Sequence, residues 1–533
     1  MQQDYLPFRN TGYFSTLICD YLDQKSDLEQ FYNRFPKLEN FKAQIEEKQS
    51  SFPKSSREVL VSALKKHYKN SNISELTLQN IECLNSENTF TITTGHQLNL
   101  FTGPLYFLYK IVSAINLSTE LKKEYPEFNF VPIYWMATED HDFDEINYFN
   151  FKGKKFQWNR VASGAVGELS TEGLDEVLEL FVQDLGTGKN ADTLKELFKK
   201  AYLNHKNLAD ATRFLANELF LDYGLVIMDA NDSDLKRLFM PFVETELRNQ
   251  TSYHSVSKTN EALSSISEDY KIQVNPREIN LFYITEDIRE RIVFEDDVYK
   301  VLNTDIIWSL SEIQKVLLEH PERFSPNVIM RPLYQEVILP NLCYIGGGGE
   351  LAYWFQLKAY FNEVAIPFPV LLLRNSVLIK TEKQAEKLQK LNISNEDLFL
   401  KRHSFINKKV RTISNIDIDF SIQKKYLQQQ FEDLYQLAEQ TDKSFLGAVK
   451  AQEVKQLKGL DALEKRLLKA QKKKLSNEVK RMTNIQNELF PNGNLQERNA
   501  NFSEFYLEYG EQLIPYLIKN LKPLKGEFSI ITI

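Results

Sequence analysis

Three short stretches of the chain combine glycine, histidine and charged side chains at spacings that chemistry can use. The first is TTGHQLNLFTGP (93–104). A β-branched run precedes it and an apolar segment of helical period follows, so it reads as a strand–loop–helix junction. Thr102 is placed to cap that helix, Gly103 lets backbone approach a ligand, and Pro104 suits the first turn. The unpaired first-turn amides of such a helix favour phosphate or carboxylate. Gly95, His96 and Gln97 fall at the strand's carboxyl end, the edge where open α/β sheets bind ligands. A histidine there could steady developing charge or move a proton, and Gln97 and Asn99 could add neutral hydrogen bonds. The stretch is neither a G-x-G-x-x-G fingerprint nor a Walker A loop.

The second stretch, TEDHDFDEINYF (138–149), carries Glu139, Asp140, His141, Asp142, Asp144 and Glu145 directly after an apolar strand. Such a cluster could bind a divalent ion, orient an amine or supply a general base. In extended backbone Asp140 and Asp142 share one face and His141 takes the other. Convergence on a metal is therefore not expected, and no metal site is assigned. The third stretch is RPLYQEVILPNLCYIGGGGELAYWFQLKAYF (331–361). Arg331 could clamp a carboxylate with both guanidinium arms, with Gln335 and Glu336 close by. The glycine run, with Gly347 and Gly348 at its centre, could form an anion nest or admit a sugar close to backbone. Glu350, directly after it, is a further substrate contact. Cys343 has no neighbouring base in sequence and reads as a small buried hydrophobe.

The elements that must hold these stretches follow from periodicity. NTFTITTG (88–95) and FNFVPIYWMAT (128–138) read as strands, and PLYFLYKIVSAINLSTELKKEY (104–125) as the helix joining them. That βαβ unit implies a parallel sheet. The pattern returns as a helix over 207–221 and a strand in YGLVIMDA (223–230), with further strands expected at 328–336 and 368–374. Residues 1–85 read as polar helices, His67 being a helix-surface residue. The less regular segments near 150–205 and 245–315 read as insertions. From 381 glycine and proline almost vanish, and Leu468, Leu475, Met482 and Leu489 recur every seven residues. Helices over 422–441 and 443–488 would pair as an antiparallel hairpin or coiled coil. EFSIITI (527–533) reads as a last strand returning to the sheet. The fold class is α/β: a Rossmann-like parallel-sheet core with inserted connecting segments, plus a long α-helical coiled-coil arm. The division is 1–380 core, 381–500 arm and 501–533 a segment returning to the core.

A chain of 533 residues is long for one core and suits two or three domains. Its net charge of −8 argues against non-specific nucleic-acid binding. Three scattered cysteines without a C-x-x-C pair suit a reducing compartment. The N-terminus lacks secretory-signal features, and no stretch approaches a membrane span, so a cytoplasmic protein is expected.

Together the segments TTGHQLNLFTGPLYFLYKIVSAI, PIYWMATEDHDFDEIN, RPLYQEVILPNLCYIGGGGELAYWFQLK and LFPNGNLQERN resemble the bacillithiol biosynthesis cysteine-adding enzymes, in the same order from about 90 to 500. The resemblance implies a cytoplasmic, amide-forming ligase that joins the cysteine carboxyl to the amine of glucosaminyl malate. It implies ATP or ADP with Mg²⁺ as cofactor, and a homodimer made through the helical arm. Family members usually carry Gln where this chain has His96. The resemblance therefore implies that His96 contacts substrate or phosphate and makes His141 the better acid/base candidate, while Asp140, His141 or Asp142 would position and deprotonate the amine. Thr102–Leu105 would hold one anion, and Arg331 with the 346–349 loop the malyl carboxylates. The competing reading is a nucleotide-binding coiled-coil dimer with a structural or regulatory role, or a ligase for a different amino-sugar acceptor.

Overall fold

In the computed structural model, which describes residues 3–69, 71–286 and 288–533, five parallel strands form the central sheet. They are β1 (Thr89–His96), β2 (Asn129–Met136), β3 (Val226–Asp229), β4 (Asn341–Gly346) and β5 (Val370–Leu373). All four pairings are parallel, in the order β5-β4-β1-β2-β3. The winding runs outward from β1 to β3, then returns to place β4 on the other side of β1. The topological switch point therefore lies between β1 and β4, where ligands of open α/β sheets bind. Both faces of these strands are covered, and β2 reads as a continuous apolar run (NFVPIYWM) for that reason. Helix α1 (Tyr106–Glu124) joins β1 to β2 and packs on both.

One expected strand is a helix. Residues 328–336 were expected to extend, yet Arg331–Ile338 is α2, with Pro332 in its first turn and Leu333, Tyr334, Val337 and Ile338 buried at helical spacing. The strand is the next run, Asn341–Gly346. It leads through the glycine loop into α3 (Gly348–Phe355).

The insertions have structure of their own. A hairpin (Tyr148–Phe151 with Lys154–Gln157) and two amphipathic helices (Leu174–Leu185, Lys189–Tyr202) fill the first. The second builds a five-stranded antiparallel sheet that reaches as far as Pro326. The C-terminal strand Phe528–Thr532 does not enter the central sheet. It pairs antiparallel with Gln3–Leu6 and parallel with Val377–Lys380 in a separate three-stranded sheet.

The arm consists of α4 (Ser421–Glu439), α5 (Lys443–Lys474) and α6 (Ser476–Leu489). The expected single helix over 443–488 is broken at Leu475 (φ −96°, ψ 28°). Helices α4 and α5 pack together around Phe431, Ala438 and Val449, and Lys424 bonds both Asp461 and Glu464. At the base, Met482, Ile485 and Leu489 join the main core. The heptad stripe thus changes partners along its length, which is why its register reads as imperfect.

Candidate functional site

A cavity of about 280 Å³ opens at the switch point. It is lined from the end of β1 by Gly95 and His96 and directly after it by Gln97, from the loop after β2 by Ala137 and Asp140, and from α2 by Arg331 and Gln335. Tyr344, Glu350, Tyr353 and Trp354 close the β4–α3 side, and Tyr106 and Lys110 of α1 complete it. Three expected contact regions therefore converge on one space.

Two carboxylate–cation pairs face each other across this space. At one end Asp140 lies 3.9 Å from the Arg331 guanidinium and 3.5 Å from Gln97 Nε2. Burial would raise the Asp140 carboxyl, but Arg331, Arg289 and the His141 N–H outweigh it, so the group stays below the usual carboxylate range. At the other end Glu350 is fixed by three donors: Lys110 Nζ at 2.6 Å, Tyr344 Oη at 2.7 Å and the Gly347 N–H at 3.1 Å. Lys110 also donates to the Gly95 carbonyl at 2.6 Å. Burial pushes the Lys110 ammonium down, and Glu350 acts against that. Behind the wall, Gln335 Nε2 donates to Glu336, which also accepts from Asn341 and from buried Lys48 at 3.0 Å. The Gln335 amide is thereby oriented with its oxygen as the remaining acceptor.

His96 is buried against Phe107 and Tyr106, and its Nε2 has no partner among the described residues. Burial first, then Lys110 and Arg374, hold it well below the usual histidine range. It is a neutral imidazole in the wall of the site.

Several expected contacts lie elsewhere. Thr102 does not cap a helix: it has φ 68°, is buried, and its hydroxyl has no partner among the described residues. Helix α1 begins beyond it, the Leu105 N–H is taken by the Ala500 carbonyl, and Asn501 bonds the carbonyls of Phe101 and Gly103. Gly103 has φ 60°, and a Cβ there would meet Asn99 at 2.6 Å, so its glycine serves the loop's own packing. Thr102 and Gly103 thus lie outside this cavity, although Gly103 and Pro104 line a neighbouring one. Gly347 and Gly348 sit behind the wall made by Glu350. A Cβ at Gly347 would crowd Glu350 Oε1 at 3.2 Å, so the loop's closeness serves that carboxylate.

The acidic turn is not extended. It runs into a short helix (Phe143–Ile146), and ligand atoms of Asp140, His141 and Asp142 come within 4.8 Å of one another. The expectation that His141 points opposite the two acids is therefore corrected. Of the three, only Asp140 lines the cavity; His141 is 45% exposed. Arg289, from the inserted sheet, sits 2.6 Å from His141 Nδ1. A guanidinium can only donate, so that nitrogen accepts and its lone pair is used. Arg289 and Arg331 also compensate the charge a divalent ion would need. His67 is not a free surface residue either: it lies 3.6 Å from buried Asp232. Cys343 is buried in the sheet, and burial pushes its thiol far up, as expected of an inert cysteine.

Sequence reasoning missed Lys110, Tyr344 and Arg289. Lys110 alone carried a signal: a cation on the buried face of an otherwise apolar helix requires a buried partner.

A Rossmann-like α/β protein with a switch-point cavity and a coiled-coil domain is the class that fold and site define. The family described as "Bacillithiol biosynthesis BshC, N-terminal Rossmann-like domain" matches residues 1–375, and "Bacillithiol biosynthesis BshC, C-terminal coiled-coil domain" matches 377–533. The chain belongs to the bacillithiol biosynthesis BshC family. A protein of Flavobacterium johnsoniae named "Putative cysteine ligase BshC" is 62% identical over 533 residues, all of both chains. A namesake from Cytophaga hutchinsonii is 40% identical over 96% of this chain and 95% of its own. One from Bacillus thuringiensis is 28% identical over 97% of each. Among the described residues, no helix is long and apolar enough to cross a membrane.

Proposed function

We propose that this chain is an amide-forming cysteine ligase of bacillithiol biosynthesis, joining the carboxyl of cysteine to the amine of glucosaminyl malate. The observation that carries the reading is the pairing of charges in the switch-point cavity. A free amino acid is a zwitterion. Arg331 is a bidentate donor for its carboxylate, while Glu350 and the Gln335 oxygen are acceptors for its ammonium. Family membership supports the reaction, through relatives named as cysteine ligases.

Amide formation from a free carboxylate in water needs activation, and ATP with Mg²⁺ is the activator we propose. The Thr102–Leu105 amides do not suit a phosphate, because Ala500 and Asn501 occupy that loop. No step is assigned through the nucleotide. Asp140 is the group placed to accept the amine's proton, since it stays ionised and faces the cavity. The partner we propose for the arm is a second copy of this chain: Ile422, Tyr426, Leu434, Leu437, Leu446 and Leu463 are exposed apolar residues on α4 and α5. A cytoplasmic setting suits its three free cysteines.

Calorimetry tests the zwitterion reading. Cysteine should bind, whereas cysteamine, which lacks the carboxylate, and 3-mercaptopropionate, which lacks the amine, should each bind at least about tenfold more weakly. Equal binding of all three would remove it.

A further inference from the structure

A second cavity, about 440 Å³, adjoins the first and shares Gln97 and Tyr106 with it. Its floor includes Asn99, which is 8% exposed and whose Oδ1 has no partner among the described residues. Its walls include Tyr148, Asn150 and Glu145, with the exposed Arg498 contributed by the short helix Gln496–Asn499. Lys155 covers one face of Tyr148, and Asn150 donates to the Asn499 carbonyl. Amides, a carboxylate and an aromatic wall around an open space suit a ring bearing many hydroxyls, each both donor and acceptor.

The shared wall adds direction. Gln97 Nε2 lies 2.9 Å from Glu145 Oε2, a residue of the second cavity, and 3.5 Å from Asp140 Oδ2 in the first. A primary amine arriving at Gln97 from the second cavity would stand between these two carboxylates. We infer that the second cavity is the acceptor compartment: it takes a hydroxylated ring carrying a primary amine, and presents that amine at Gln97 to an amino acid held in the first. This rests on the ligase reading, and it assigns the two substrates to separate spaces. Arg498, at the open side, meets a carboxylate carried by the same acceptor.

The test uses the full-length protein and three probes: glucosaminyl malate, its N-acetylated form, and cysteine. Glu145→Gln and Arg498→Ala alter exposed residues, and circular dichroism checks that both variants fold. Each variant should raise the calorimetric Kd for glucosaminyl malate about tenfold and change that for cysteine by less than about twofold. Blocking the amine should weaken wild-type binding by about tenfold or more. In turnover, the variants should raise the acceptor KM with little change in kcat. No acceptor binding, acceptor binding equal in all three proteins, or equal weakening of cysteine would overturn the assignment. The two readings separate cleanly: product with an unchanged acceptor KM in both variants overturns the compartment alone. Specific acceptor binding without product overturns the ligase alone.

Discussion

In the proposed reaction, Asp140 is the residue on which the chemistry turns. Of the described residues of the acidic turn, it is the one that lines the first cavity, and Arg331 and Arg289 favour its ionised form. Asp140→Asn should lower product formation by about 10²–10⁴-fold, the range of one general base, without a change in melting temperature. His141→Ala should cost about tenfold or less, because its Nδ1 is already engaged by Arg289. Parallel turnover and thermal-melt measurements on both variants check this order. His96 sets a pH prediction. Its folded pKa is depressed, so it is neutral above that value and gains a proton only at a pH well below the ordinary value of about 6.5. The activity profile of His96→Gln should therefore superimpose on the wild type between about pH 6 and 8. A limb near 6.5 that vanishes in the variant would contradict the neutral assignment. Gly95, His96, Gln97, Asp140 and Glu350 were legible in the sequence because strand ends and glycine loops announce themselves, whereas Arg331 and Gln335 were legible by residue type alone, in a segment misread as a strand. Lys110, Tyr344 and Arg289 were not, because each reaches the site from an element whose packing only the tertiary fold decides.

At the scale of elements, buried ion pairs fix the walls of the site. Lys48 and Glu336 tie the helix Phe41–Ser51 to α2, and Glu336 also holds Asn341 of β4, whose side chain accepts from Thr91 and Thr93 of β1. Glu336→Ala would leave Lys48 charged and unpartnered in the interior, a loss of about 3–5 kcal/mol. Chemical denaturation should show it as a lower midpoint. Near the base of the arm, Asp397 is paired with Lys408 and Lys409; burial opposes its ionisation, but these partners hold it at about 2. Its folded pKa lies below the unfolded value of about 4, so its stabilisation is present above about pH 4 and is lost as pH falls through about 2. The melting-temperature gap between the wild type and Asp397→Asn should narrow over that interval. The β1–α1–β2 unit was readable because its strands are β-branched or apolar on both faces and its helix is long. Helix α2 was misread because a short apolar run does not distinguish helix from strand without its length and flanks. In α2 the deciding feature was Pro332 in the first turn.

In the whole molecule the α/β core meets the foot of the 381–500 region through a buried ion pair. Arg374, beside the site, pairs with Glu497 at 2.8 Å, and both are buried. Arg374 also lies over the ring of Tyr106, the wall shared by the two cavities. The arm's exposed apolar residues predict self-association. Light scattering should report a dimer for the wild type and a monomer for Leu434→Lys/Leu437→Lys, with the fold of the core unchanged. The arm was legible from its composition and heptad, whereas the return of the last strand to a separate sheet was not, because its partners Gln3–Leu6 and Val377–Lys380 are distant in sequence. The measurement that bears most directly on the central claim is product analysis. The purified protein is incubated with cysteine, glucosaminyl malate and Mg·ATP, and thiol products and adenine nucleotides are followed by mass spectrometry. The account predicts the cysteinyl amide of glucosaminyl malate, formed with AMP or ADP in equal amount. A folded protein that binds both substrates and forms no amide would contradict it.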